Sequence, residues 1–180
     1  ELPAASELAK LYQDPRLLKW VPLIVQRELF VSEDPLGCCS INVFRPNFHH
    51  SFHFDESEFS TTLMLQRASD PSTGLFQYTH PLRDSPDDLV LPGVAATIHK
   101  YDESCQADFT ERSTPAPELH TLDFHPGTLS IIHGSRCLHR VTRVEGNQSR
   151  LVAVLTFSTT PGFQNSARVQ ELFWGRSSQP

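Results

Sequence analysis

The chain has 180 residues, 38% hydrophobic and 20% charged, with 15 Lys and Arg against 21 Asp and Glu. That composition belongs to a folded globular protein and excludes a disordered one. A net charge of −6 argues against a binder of nucleic-acid phosphates, and no apolar run approaches the roughly 20 residues that span a bilayer. The first predicted element is helical: Leu8, Leu11, Leu17, Leu18, Val21, Ile24, Val25 and Leu29 fall near a helical period. Pro15 and Pro22 are expected to divide it, each near a helix start. From residue 36 the period shifts towards two. CCSINVF, STTLMLQ, GLFQYTH, GTLSIIHG, LHRVTRV and RLVAVLTF are short runs rich in β-branched and aromatic residues, with Gly, Pro, Asn and Asp between them. Such a series predicts a sandwich or barrel. Residues 84–119 are polar and Pro-containing, with one helix-like piece at Leu89 to Tyr101. They read as a long insertion between strands, of a kind often used as a lid or binding loop. Cys38, Cys39, Cys105 and Cys137 form no CxxC pair, which predicts reduced thiols serving as small core residues in an intracellular, cytoplasmic protein.

Two of the nine histidines stand out. His49, His50, His80, His99, His120 and His125 fall in loops or the insertion, and His133 beside a turn, where solvated or hydrogen-bonded rings are the default. His53 and Asp55, in HFDESEFSTTLMLQ, lie two apart just before a strand. In an extended segment both side chains share one face. A ring nitrogen and a carboxylate oxygen then reach one metal ion from the same side. His139, in the later strand-like run LHRVTRV, supplies a second imidazole. Two His and one carboxylate with open positions form the facial triad of non-haem Fe(II) oxygenases. Arg150 opens the run RLVAVLTF. A buried Arg there is costly unless paired, and its planar fork suits a carboxylate. Iron beside a cationic anchor for a dicarboxylic acid is the layout of a 2-oxoglutarate site. The alternatives are a jelly-roll protein holding another metal such as Zn or Mn, which has no use for Arg150, and a non-catalytic binding domain.

HFDESEFSTTLMLQ and PGTLSIIHGSRCLHRVTRVEGNQSRLVAVLTFS together resemble the Fe(II)/2-oxoglutarate-dependent oxygenases. More narrowly they resemble the subfamily of free-amino-acid halogenases and related amino-acid hydroxylases and oxidases. INVFRP and the terminal ELFWGR are similar to segments of the same subfamily, so the likeness runs from about Asp14 to Arg176. It implies a mainly β fold with flanking helices, the double-stranded β-helix (jelly roll, cupin-like). It implies one domain over residues 1–180, with helical support in 1–35, a core in 36–176 and the insertion at 84–119. It also implies residues before Glu1, since members have a longer N-terminus. The implied cofactors are Fe(II), held by His53, Asp55 and His139, with 2-oxoglutarate and O2 as cosubstrates. Arg150 would take the far carboxylate, helped by a hydroxyl such as Thr142 or Ser130, with Asn42 and Arg45 nearest the other end. By family position His50, Glu56, Val154, Thr156 and Trp174 face the substrate, a small molecule of the free-amino-acid type. Two departures matter. The halogenases carry Gly or Ala where this chain has Asp55, so oxidation without halogenation is implied. The family's Arg-Pro-Gly is Arg45-Pro46-Asn47 here, so its turn is expected to differ slightly.

Overall fold

The computed structural model describes residues 2–3, 5–102 and 114–178. Cys105 and residues 103–113 of the expected insertion lie outside the described residues. The chain opens with two helices. α1 (Glu7–Tyr12) starts at Ser6, whose hydroxyl accepts from Ala9 N, and α2 (Pro15–Val25) starts at Asp14, whose carboxylate accepts from Arg16 N. Pro15 sits at the first helical position, as its ring favours. Pro22 departs from expectation: it lies inside α2 and does not divide it. The helix ends at Gln26, in the left-handed conformation, so the missing N–H is lost only from the final turn.

The strands, in chain order, are β1 (Phe30–Val31), β2 (Cys39–Phe44), β3 (His50–His53), β4 (Phe59–Gln66), β5 (Phe76–Pro81), β6 (His120–Thr121), β7 (Leu129–Ile132), β8 (Cys137–Val141) and β9 (Arg150–Ser158). α3 (Leu91–Tyr101) lies between β5 and β6, and α4 (Ala167–Trp174) follows β9. Every described pairing is antiparallel. In one sheet β9 is flanked by β4 on one side and by β1 and β2 on the other, with β7 beyond β4. The second sheet runs β3-β8-β5-β6. Each of the six runs of period two became a strand, while β1, β3, β6 and α4 were not foreseen.

β9 shows why its sequence is almost continuously apolar. Arg150, Val152, Val154 and Thr156 face a cavity between the sheets. Leu155 and Phe157 point the other way and pack with Tyr12, Leu17, Val21 and Phe59. One face is therefore covered by the N-terminal helices and the other by the second sheet. The buried Tyr12 hydroxyl donates to Thr156 O and accepts from Ser32 N at 2.9 Å. Burial raises its pKa.

A buried carboxylate ties the far end of the chain to this sheet. Asp34 is fully buried. It accepts from Leu36 N at 2.8 Å and Gly37 N at 3.0 Å, in the loop before β2. It also accepts from Asn165 N and Nδ2 at 3.0 and 2.5 Å and from Gln170 Nε2 at 3.1 Å, at the start and within α4. Burial opposes the charge, but these donors outweigh it and lower the Asp34 pKa. Cys38 and Cys39 are half-buried and Cys137 is buried, all as free thiols. Burial and the neighbouring Cys38 push the Cys39 pKa up to about 11. No helix among the described residues is long and apolar enough to cross a membrane.

Candidate metal centre

His53 ends β3, and His139 lies in β8 directly opposite it in register. Asp55 follows in the loop to β4. Pairing of β3 with β8 shifts between His50 and His53. That irregularity lets two residues three apart both line the cavity. Ligand atoms of His53, Asp55 and His139 lie within 4.8 Å of one another. Asp55 Oδ1 is 3.4 Å from His139 Nε2 and 3.6 Å from His53 Nε2.

Each ring is oriented from behind. His53 Nδ1 is 2.8 Å from Ser51 O, and His139 Nδ1 is 2.8 Å from Cys137 O. A proton on Nδ1 satisfies each carbonyl and leaves Nε2 as a lone pair aimed at the carboxylate. Three electron-rich atoms turned towards one point suit a cation between them. Without a metal, protons carried by the imidazoles take that cation's place. Burial disfavours the Asp55 charge, yet His139 and His53 hold its carboxyl well below the usual carboxylate range. Burial likewise lowers the His139 pKa, but Asp55 and the Cys137 carbonyl outweigh it and raise it. The site attracts positive charge, and its two N and one O donors fit a first-row divalent metal with open positions.

The cavity has a volume of about 150 Å³ and is lined from both sheets. Arg150 lies in its wall, only 2% exposed. Its guanidinium carbon is 5.2 Å from the Phe44 ring and 5.9 Å from the Phe124 ring. Its Nε has no hydrogen-bond partner, and among the described residues no carboxylate forms an ion pair with it. Burial pushes its pKa down to about 10, which still leaves a cation at neutral pH. A buried, unpartnered guanidinium facing a cavity suits an anionic ligand.

Of the other residues singled out from the sequence, Asn42, His50, Glu56, Val154, Thr156 and Trp174 all line this cavity. The His50 ring lies 3.8 Å from that of His53 and 5.3 Å from that of Phe173. Burial, with His53 and His139 nearby, pushes its pKa down to about 3, so His50 is neutral. Glu56 is exposed, and its carboxylate accepts from Ser166 N at 2.6 Å. The Thr156 hydroxyl is already engaged, donating to Gly37 O at 2.9 Å.

Three candidates are not brought to the cavity. Arg45 is exposed and absent from the lining. Thr142 is corrected: strand alternation turns it away from the His139 face, and its hydroxyl accepts from Leu75 N at 2.9 Å. Ser130 bonds Thr62 Oγ1 at 2.8 Å, and it is Thr62 that lines the cavity. Thr62 was legible in principle, since it alternates with Ser60 in STTLMLQ. Phe124 lies in a loop and carries no periodic signal. At the Arg45-Pro46-Asn47 turn, Asn47 adopts a φ of 71°. Asn is among the few non-glycine residues that tolerate this conformation.

No family model matches the chain, and no curated protein matches it. Among solved structures it is similar to an oxidoreductase of the 2OG-Fe(II) oxygenase family from Burkholderia pseudomallei, at 19% identity and a TM-score of 0.56. That match covers 88% of this chain and 58% of the other, so the chain spans little more than half of that protein's length. It is also similar to HygX from Streptomyces hygroscopicus, solved with iron bound, at 17% identity and a TM-score of 0.60, covering 89% of this chain and 71% of that one. HygX with nickel and 2-oxoglutarate bound matches at the same identity and TM-score, over 89% and 68%. At these identities the likeness establishes the fold: a double-stranded β-helix.

Proposed function

We propose that this protein is an Fe(II)- and 2-oxoglutarate-dependent dioxygenase acting on a small molecule, a free amino acid or a close derivative. The observation that carries the reading is that His53, Asp55, His139 and the unpaired, buried Arg150 open onto one cavity. A triad alone fits several metals, whereas the added cation fits a dicarboxylic cosubstrate. The similar fold of oxygenases solved with iron, and with nickel and 2-oxoglutarate, supports it.

His53, Asp55 and His139 would hold Fe(II), and Arg150 would take the far carboxylate of 2-oxoglutarate. When bound, Fe(II) with 2-oxoglutarate and O2 supplies oxidation coupled to cosubstrate decarboxylation. The chain's own residues do the rest. Phe44 and Phe124 flank the guanidinium and lower the local dielectric, which strengthens its pairing with a carboxylate. Neutral His50 packs between His53 and Phe173, adding no charge beside the ligands. Phe173 and Trp174 wall the cavity from α4 and exclude water from the reacting centre. Glu56 would receive a substrate ammonium, with Trp174 as a cation–π surface. Val154 and Thr156 would set the room left for the substrate, and Asn42 would lie nearest the end of the cosubstrate away from Arg150. Because Asp55 fills the third protein position, hydroxylation, desaturation or oxidative cyclisation is favoured over halogenation. The proposed chemistry is that of an amino-acid hydroxylase or oxidase, and the proposed compartment is the cytoplasm.

Anaerobic titration of Fe(II) and 2-oxoglutarate is expected to produce a visible metal-to-ligand charge-transfer band that is lost in His139→Ala. Its absence in folded protein would remove the dioxygenase reading. A panel of free amino acids is then expected to stimulate succinate release. No stimulation by any of them would remove the substrate class and leave the cofactor assignment standing.

A further inference from the structure

Gly134 sits buried at the start of the β7–β8 turn, where Arg136 N and Cys137 N both donate to His133 O at 3.0 Å. Gly134 O accepts from Asp55 N at 3.0 Å, so the turn and the Asp55 loop are already stitched together. A Cβ at Gly134 would lie 2.7 Å from Asp55 Cγ and 2.8 Å from Asp55 Cβ, and closer still to Oδ2. Contacts under 3.0 Å require something to move. Asp Cβ is fixed by its own backbone, so it cannot swing aside as the tip of a long side chain would. Five other glycines, Gly74, Gly127, Gly146, Gly162 and Gly175, have positive φ and answer a backbone need. Gly134 does not: its φ lies outside the left-handed region, so an L-residue fits its backbone. What the glycine supplies is room.

The same turn also orients a second ligand. Cys137, at its end, offers the carbonyl that fixes His139 Nδ1 at 2.8 Å. One short connection therefore seats the carboxylate at its first residue and the imidazole just beyond its last.

We propose that Gly134 is a positioning residue of the metal centre: it forms the recess in which the Asp55 carboxylate is held facing His53 and His139. Any side chain there displaces the carboxylate while the two imidazoles stay in place. The functional half of this proposal rests on the metal-centre reading above. The steric half concerns the metal-free protein and is tested separately.

The test uses Gly134→Ala, Asp55→Gly and the double variant. Co(II) binding is followed by its visible absorption, and thermal unfolding is measured without metal. Gly134→Ala is expected to lower Co(II) affinity by about 10- to 100-fold, the range of losses when a ligand's supporting partner is altered. It should also lower the metal-free Tm in the parent background but not in Asp55→Gly, where the three nearest atoms, all of the Asp55 side chain, are gone. Should Gly134→Ala alone fail to fold, a double variant that melts like Asp55→Gly supports the proposal, and one that also fails overturns it. Equal Tm losses in both backgrounds overturn the recess. A parent that binds Co(II) and a Gly134→Ala variant of unchanged affinity overturn the positioning role alone. A folded parent that binds no Co(II) overturns the metal-centre reading, and this role with it.

Discussion

At the residue scale, Arg150 decides most. A guanidinium buried without an acid partner costs several kcal/mol, and a bound dicarboxylate would offset that cost. Arg150→Ala is expected to weaken 2-oxoglutarate binding by about 100-fold or more, the value of a charge-assisted bidentate pair. Anaerobic calorimetry reads this directly, and unchanged affinity removes the anchor assignment. Arg150→Met, similar in length but uncharged, is expected to raise the stability of the ligand-free protein by about 1–3 kcal/mol while losing the cosubstrate. A urea melt that shows the variant less stable would mean that the charge is already compensated in the free protein. Arg150 and the triad were legible because each sits at a fixed place relative to a strand: His53 and Asp55 two apart, His139 within a strand, Arg150 at a strand start. Thr142 lies three residues from His139, an odd step that changes face on a regular strand, and the strand is regular there.

At the scale of elements, β9 divides its labour by parity. Arg150, Val152, Val154 and Thr156 serve the cavity, and Leu155 and Phe157 serve the packing against α1 and α2. Phe157, only 1% exposed, stacks edge-on against Tyr12 with ring centroids 5.5 Å apart. Phe157→Ala is expected to cost about 3–5 kcal/mol of stability, read by urea unfolding, with 2-oxoglutarate affinity in the remaining folded protein unchanged. A large loss of affinity at unchanged stability would mean that the two faces are not independent. Period two was enough to find this strand and five others. It was not enough for β3, whose shifted pairing breaks the alternation so that His50 and His53 share a cavity. A sequence pattern of loop-like histidines hides such a strand. Pro22 misled in the opposite sense, because near a helix C-terminus the lost hydrogen bond is inexpensive enough for packing of Val21 and Leu17 to override it.

At the scale of the whole molecule, Asp34 links segments that the sequence gives no reason to join. It gathers the β1–β2 loop, the approach to α4 and α4 itself. Gln170, one of its donors, in turn accepts from Ser178 N at 2.7 Å. Asp34→Ala leaves several buried donors unmatched and is expected to cost about 2–4 kcal/mol. Because the folded-state pKa of Asp34 is lowered, its contribution is complete above the unfolded carboxyl value near 4. The contribution is lost as pH falls through the lower folded value. Asp34→Asn should therefore flatten the loss of stability below about pH 4, measured by thermal melts across that range. A parent and variant with parallel acid limbs would show that Asp34 does not drive the transition. None of this was readable beforehand, since no local period connects residues 34, 165 and 170.

The pairing of β3 with β8 brings together residues from the first third and the last quarter of the chain. Contacts of such wide sequence separation form slowly, because the entropy of closing a long loop must be met before the contact rewards it. β2 and β9 impose the same demand on the neighbouring sheet. The three candidate ligands thus meet only when β3 has paired with β8, and Arg150 is set in the same wall only when β9 has paired. During synthesis, a nascent chain holding His53 and Asp55 but not yet His139 and Arg150 has two of the three candidate metal ligands and none of the candidate anchor. On the proposed reading, a complete site for metal and cosubstrate is then confined to molecules in which both pairings have formed.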